Sequence, residues 1–264
     1  MSAQEVADTL RCSLTRYNRV ETGKGRATLT AEEVKALCEL YGVTDERHIQ
    51  ALLDMLKSSQ EQGWWERYRS VLPPGLDTLV GLEVEASGER AWEGVLVHGL
   101  LQTADYAREV ISAAPEIRAA DVEALVELRM ERQKVLTRSE SPLDFWLILD
   151  EAVLRRPVGG PRVMEAQLRH LLAASEMPNV TVQVTPLHEG AHPGVGGPFS
   201  ILDFGEDSLS PVVYVDSPAG NLYEEKPSTV RRFAGTYDLL RATALDPEES
   251  AALLHRAAKE MRDE

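Results

Sequence analysis

The chain is 264 residues long, 43% hydrophobic and 27% charged, with a net charge of −15. This length admits one large domain or two ordinary ones, and the composition excludes a wholly disordered, collagen-like or coiled-coil chain. No apolar run approaches the ~20 residues that cross a bilayer, and Met1-Ser2-Ala3-Gln4-Glu5 lacks the basic-then-apolar pattern of a secretory signal, so a cytoplasmic protein without a membrane partner is expected.

Residues 2–57 read as short helices. Ser2-Ala3-Gln4-Glu5 has the form of a capping box, in which a hydroxyl and a carboxylate three residues apart satisfy orphan N–H groups. Val6, Ala7 and Leu10 then fall on one helical face. Thr30-Ala31-Glu32-Glu33 repeats the box, Val34, Leu37, Cys38 and Tyr41 follow at helical spacing, and Gly42 supplies a stop. Ile49, Leu52, Leu53 and Leu56 mark another amphipathic helix, and the polar stretch from Lys57 to Gly63 is the best linker candidate.

Beyond Trp64-Trp65 the pattern mixes. Helical character runs over Val80 to Trp92, Thr103 to Ile111, Asp121 to Leu136, Val163 to Leu172, Thr229 to Leu240 and Pro247 to Met261, the last capped by Asp246. Strands are predicted at Phe145 to Leu149, Val180 to Val184, Phe199 to Phe204 and Val212 to Val215. The expected architecture is a mainly α N-terminal helix-turn-helix domain over 1–57, followed by an α+β domain over 58–264 large enough to bury its own core.

Charge separates the two parts. Residues 10–30 carry Arg11, Arg16, Arg19, Lys24 and Arg26 against Glu21 alone, while residues 58–264 carry −14. A small basic island thus precedes an acidic body, and any nucleic acid meets the island. Segment 4–23 reads as a short helix, a tight turn near Arg11-Cys12, a second helix begun by Ser13 and a stop at Gly23. Ala7, Leu10, Tyr17 and Val20 can form the seam between the helices, leaving Ser13, Thr15, Arg16 and Arg19 outward. Such a face suits a major groove, where Arg forks donate to guanine and hydroxyls hold phosphates. Lys24 and Arg26 follow where they can pin the flanking backbone.

Ser13-Leu14-Thr15-Arg16-Tyr17-Asn18-Arg19-Val20-Glu21-Thr22-Gly23 resembles the helix-turn-helix of phage-repressor-type (Xre) regulators. Further motifs narrow the likeness: Gly63-Trp64-Trp65, Gly99-Leu100-Leu101-Gln102-Thr103-Ala104-Asp105-Tyr106-Ala107, Arg129-Met130-Glu131-Arg132-Gln133, Asp150-Glu151-Ala152-Val153-Leu154-Arg155 and Pro178-Asn179-Val180-Thr181-Val182-Gln183-Val184. In order and spacing these resemble the actinobacterial Xre regulators with a large C-terminal domain of unassigned function, the WhiJ-like or antitoxin-like group. The resemblance implies a DNA-binding regulator whose C-terminal domain meets other proteins, often a small acidic protein encoded beside it. It places Ser13, Thr15, Arg16, Arg19 and Asn18 on the recognition helix. The chain departs from the pattern in lacking a first helix before Ser2, which predicts exposed apolar surface on the remaining helices. It departs also in Arg11 at a turn position where Gly is common, and in Tyr17 at a usually aliphatic position.

His188-Glu189-Gly190-Ala191-His192 matches the H-E-x-x-H pattern, in which two His on one helical face hold zinc and Glu activates water. Pro186, Gly190 and the run Pro193 to Pro198 argue for a loop instead. Trp64, Trp65, Trp92 and Trp146 read as core anchors, Cys12 and Cys38 as packing residues, and Arg129, Arg132 and Lys134 as a solvated helix face beside Glu127 and Glu131. Asp150 and Glu151 are adjacent and so point apart, and no Gly-rich phosphate loop follows a strand.

The leading expectation is a sequence-specific transcriptional regulator without cofactor or enzymatic activity. It binds a double-stranded operator as a homodimer, because one small reading head makes too few contacts for specificity. The alternatives are an antitoxin-like interaction module needing a small partner protein, a ligand sensor with a pocket near the Pro186–Phe199 loop, and a zinc peptidase at His188–His192.

Overall fold

The computed structural model describes residues 2–21, 29–60, 63–205, 210–217 and 220–263, leaving aside the side chains at 54, 55 and 57–60. Two compact units emerge, one built on Met1–Trp64 and the other on Trp65–Phe204 with Ser210–Glu264.

In the first unit, α1 (Ala3–Thr9) opens with both hydrogen bonds of the capping box between Ser2 and Glu5 in place. It closes through Arg11, which adopts φ 51°, so that the Cys12 N–H reaches back to the Ala7 carbonyl at 3.0 Å. That is the left-handed closing turn glycine favours, adopted here by an arginine. Next, α2 (Leu14–Glu21) starts on Ser13, whose hydroxyl accepts the Arg16 N–H at 3.2 Å. The Thr30–Glu33 capping box starts α3 (Ala31–Tyr41), and Gly42 ends it at φ 72°. Val6, Ala7, Leu10 and Tyr17 form the buried seam, with Leu29, Ala36, Leu37 and Leu40 packed against it; Val6 joins the expected set, and Val20 is only half-buried.

Helix α4 (Glu46–Gln60) runs through residues 57–60, which were expected to begin a linker. Lys and Gln are good helix formers and no Gly or Pro interrupts before Gly63, so the helix continues although its hydrophobic face has ended. Helices α3 and α4 leave an apolar groove of about 420 Å³ lined by Leu29, Val34, Leu37, Tyr41, Leu52 and Leu56. Tyr41, at its edge, is 56% exposed.

The second unit contains α5 (Leu76–Glu85), β1 (Gly88–Glu93), α6 (Ala104–Ser112), α7 (Val122–Arg132), β2 (Asp144–Asp150), α8 (Glu151–Leu154), α9 (Pro161–Ala174) and β3 (Val180–Thr185). After these come β4 (Phe199–Asp203), β5 (Val212–Val215), β6 (Leu222–Glu224), α10 (Pro227–Thr243) and α11 (Pro247–Asp263). Among the described residues the strands form one mixed sheet in the order β3-β2-β1-β4-β5-β6. β1, β2 and β3 are parallel, and β4 to β6 run antiparallel.

The sequence reading placed a helix over Val80 to Trp92, but the chain leaves the helix at Ala86, with ψ 141°, and enters β1. Glu89 and Glu93 occupy inward positions of β1 and hide its alternation, so a buried strand reads as amphipathic. β6 was not foreseen; three residues are too few for a periodic signal. The remaining strands lie where predicted, and Asp246 accepts the Glu249 N–H at 2.8 Å as the cap of α11.

One face of the sheet carries Ala91, Phe145, Leu147, Leu149, Val182 and Val184 into a core shared with Leu168 and Leu171 of α9 and Leu254 and Ala257 of α11. The opposite face packs Trp92, Ile148, Ile201 and Val213 on Tyr237 and Leu240 of α10. Each of the Val, Leu, Ile and Phe side chains among these, once buried, contributes about 1.5–3 kcal/mol. Among the described residues no helix is long and apolar enough to cross a membrane.

Candidate functional site

On α2, Thr15, Asn18 and Arg19 are exposed and share a face with Leu14 at the i, i+1, i+4, i+5 spacing. Ser13 is exposed too, with its hydroxyl engaged in starting the helix. Arg16 lies at the edge of this face and is half-buried. Its guanidinium grips the Glu33 carboxylate with two nitrogens, Nη2 reaching Oε2 at 2.9 Å. This fork ties α2 to the start of α3, holding the Glu33 carboxyl below its ordinary range and the Arg16 pKa above its own. Tyr17 is buried, and its hydroxyl meets Glu21 and Tyr41, which hold it un-ionised. Lys24 and Arg26 lie outside the described residues. Arg19 makes no ion pair among the described residues, and its fork can donate to guanine O6 and N7, while Asn18 suits adenine and Thr15 a methyl group or phosphate.

The His188–His192 motif forms no helix. A 3₁₀ turn over Leu187–Glu189 ends at Gly190, φ 65°, and a second turn begins at Pro193. His188 is exposed, whereas His192 is largely buried against Asp150, with Nε2 3.1 Å from Oδ2. His192 Nδ1 accepts the Gly194 N–H at 3.2 Å, so Nε2 carries the proton and donates to Asp150. Asp150 in turn caps α8 through the Ala152 N–H at 2.7 Å. The two histidines share no helical face, so the geometry that the zinc-peptidase alternative requires is not formed. Among the described residues no group of three or more His, Cys, Asp or Glu is placed to hold a metal ion.

The second unit holds a polar cavity that the sequence reading did not foresee. It occupies about 260 Å³ at the carboxyl end of β1, beside the start of β4. Its wall includes Glu93 from β1, His98 and Gln102 from the following segment, Arg129 and Arg132 from α7, and Ser200 and Tyr214 from β4 and β5. Ser200 and Tyr214 stand in register across β4 and β5, so this pair of the sheet contributes to the floor. β1 is also where the sheet changes from parallel to antiparallel pairing, the kind of switch point at which loops diverge and leave a crevice. A cavity of about 250 Å³ adjoins it, sharing Leu76, Val110, Arg129, Arg132, Tyr214 and Asp216.

The charges beneath the cavity are mostly paired. Arg132, 4% exposed, forks onto Glu83 at 2.6 and 2.9 Å, and the Glu83 carboxylate keeps it charged against the cost of burial. Glu89, 1% exposed, accepts no well-aligned hydrogen bond, but His98 Nε2 faces its Oε1 at 3.3 Å and holds its carboxyl low despite burial. Ser200 Oγ lies 3.5 Å from that same Nε2, while His98 Nδ1 accepts the Leu100 N–H at 3.3 Å. A Ser–His–carboxylate relay needs the imidazole to face hydroxyl and carboxylate through different nitrogens. Here one nitrogen faces both, so Ser200 is not activated as a nucleophile.

Two charges in the wall stand apart from these pairs. Burial pushes the Glu93 carboxyl up to about 7, and Glu93 has no hydrogen-bond or ion-pair partner among the described residues. Burial likewise pulls Arg129 down to about 10, against the opposing charges of Asp216 and Glu83, and among the described residues its one hydrogen bond is to the neutral Gln102 Oε1, at 2.7 Å.

Sequence reasoning took Arg129 and Arg132 for a solvated face. The contrary signal was present, because Val122, Leu125, Arg129 and Arg132 follow the i, i+3, i+7, i+10 spacing of one helical face, on which Val122, Leu125 and Arg132 are buried and Arg129 is half-buried.

A family model described as a domain of unknown function (DUF5753) matches residues 76–256. The chain belongs to the DUF5753 family. A helix-turn-helix domain model matches residues 1–52, over the same helices that carry Ser13 to Arg19. The DUF5753 match encloses the whole sheet and the cavity. Comparison with curated proteins and with solved structures finds no match.

Proposed function

We propose that this DUF5753 protein is a sequence-specific, DNA-binding transcriptional regulator without catalytic activity, acting in the cytoplasm. Its domain over 1–57 lays α2 in the major groove, with Thr15, Asn18 and Arg19 toward the bases, Ser13 at the backbone and Lys24 and Arg26 on flanking phosphates. Arg16 sits at the rim of that face. Its domain over 58–264 mediates dimerisation or holds a small partner protein, as in the antitoxin-like, WhiJ-like regulators it resembles. The observation that carries this reading is the exposed Thr15–Asn18–Arg19 face on a helix fixed at its start by Ser13 and at its side by Glu33. The helix-turn-helix match over the same residues supports it.

Fluorescence anisotropy tests the proposal with the duplex upstream of the protein's own coding sequence and a scrambled duplex, at about 50 and 200 mM salt. Tighter binding to the upstream duplex, weakening as salt rises, is the expected result. Equal affinity for both duplexes refutes sequence-specific reading, and no binding at either salt moves the protein to the class of partner-dependent interaction modules.

A further inference from the structure

We propose that the cavity between β1, β4 and α7 binds a zwitterionic small molecule, an apolar α-amino acid in size and chemistry, with its ammonium on Glu93 and its carboxylate on Arg129. A buried ion without a counter-ion is disfavoured by several kcal/mol, and proteins retain such groups where something else completes them. Beneath this cavity Arg132 is completed by Glu83, and Glu89 by His98. Glu93 and Arg129, both half-buried in the cavity wall, make no salt bridge to each other or to another group among the described residues. They have opposite signs and line one cavity, so a single molecule bearing both charges satisfies both.

Size and polarity narrow the class. A volume of 260 Å³ is below the usual range for drug-sized or nucleotide ligands and suits a molecule of about ten heavy atoms. The rest of the wall includes Leu76, Leu79, Val97, Val110 and Phe199, an apolar surface for an aliphatic or aromatic side chain. Val95 and Asp216, both exposed, mark where the cavity opens to solvent. A purely anionic ligand leaves Glu93 buried beside it, and a purely cationic one does the same to Arg129. Each half-ligand therefore forgoes one of the two ionic contacts, Glu93 keeping its proton beside an anion and Arg129 staying unpaired beside a cation.

The test is isothermal titration calorimetry on the full chain with L-leucine and L-phenylalanine. Two half-ligands, 4-methylpentanoate without the ammonium and 3-methylbutylamine without the carboxylate, are titrated in parallel. At least one amino acid is expected to bind saturably, and both half-ligands at least tenfold more weakly. Glu93→Gln should abolish the preference for leucine over 4-methylpentanoate, and Arg129→Met the preference over 3-methylbutylamine. Because each variant is read as a ratio of two affinities in one sample, partial misfolding does not mimic the result. Saturable binding of neither amino acid, half-ligands that bind as tightly as leucine, or variants that keep both preferences would each overturn the proposal.

Discussion

Glu33 serves two helices at once: its carboxylate accepts the Thr30 N–H at 2.8 Å to close the capping box of α3, and it receives the Arg16 fork from α2. A single side chain thus fixes both where α3 begins and how α2 lies against it. Arg16→Ala should lower the stability of the first unit by about 1 kcal/mol, the scale of a partly exposed bidentate pair. Denaturant unfolding of Arg16→Ala, Glu33→Ala and the double variant would measure the coupling, and additivity within error would deny it. Because Glu33 is held below its ordinary range, this contribution is complete at neutral pH and is lost as pH falls through the folded pKa of the carboxyl.

The same pair separates positioning from reading. If Arg16 positions α2, Glu33→Gln should weaken DNA binding with Arg16 intact, because the fork loosens. If Arg16 reads a base, releasing it from Glu33 should leave affinity unchanged or improve it. Anisotropy on the upstream duplex distinguishes the two.

Arg11 sits at φ 51° in the turn between α1 and α2. A side chain in that left-handed conformation costs about 1–2 kcal/mol relative to glycine. Arg11→Gly should therefore raise the unfolding midpoint, and an unchanged or lower midpoint would show that the arginine side chain compensates for its backbone.

The two histidines of the H-E-x-x-H segment should respond unequally. His192 bridges Asp150 and Gly194 and meets the Trp92 ring edge-on at 5.0 Å, and the Trp92 Nε1–H donates to the Gly194 carbonyl at 2.9 Å. His192→Ala should cost about 1–3 kcal/mol by leaving these groups unpaired, whereas exposed His188→Ala should stay within about 0.5 kcal/mol. A Cβ at Gly194 would overlap the Trp92 indole, so Gly194→Ala should destabilise by a similar 1–3 kcal/mol. Equal losses at both histidines, with zinc retained after metal-replete purification, would revive the metallopeptidase reading.

Glu93 gives the second unit a distinctive pH dependence. Burial raises its carboxyl to about 7, with Glu89 and Asp216 adding to the effect and His98 and Arg129 opposing it. The folded state therefore holds a proton that the unfolded chain releases near its ordinary pKa, and stability falls as pH rises from about 4.5 toward 7. Glu93→Gln should match wild type near pH 4 and exceed it at pH 8 by about 2–3 kcal/mol. Parallel stability curves for the two proteins would contradict the assignment.

Legibility from sequence followed the physics of each feature. The capping boxes at Ser2 and Thr30, the stop at Gly42 and the turn at Arg11 are local, and each was readable from a few adjacent residues. The strands at Phe145, Val180 and Phe199 announced themselves by apolar content. β1 did not, because Glu89 and Glu93 take inward positions and find their setting only when α5, α7 and β4 surround them. The cavity was hidden for the same reason, since it assembles from segments as distant as Leu79 and Tyr214. The pairing of Arg16 with Glu33 joins two helices and could not be read from either helix alone.

The central claim is that the α2 face reads DNA, and Arg19→Ala tests it most directly. Anisotropy with wild type and Arg19→Ala should show a loss of about 1–3 kcal/mol on the upstream duplex, roughly tenfold or more, and a much smaller loss on the scrambled one. Undiminished affinity of Arg19→Ala for the upstream duplex would contradict the account.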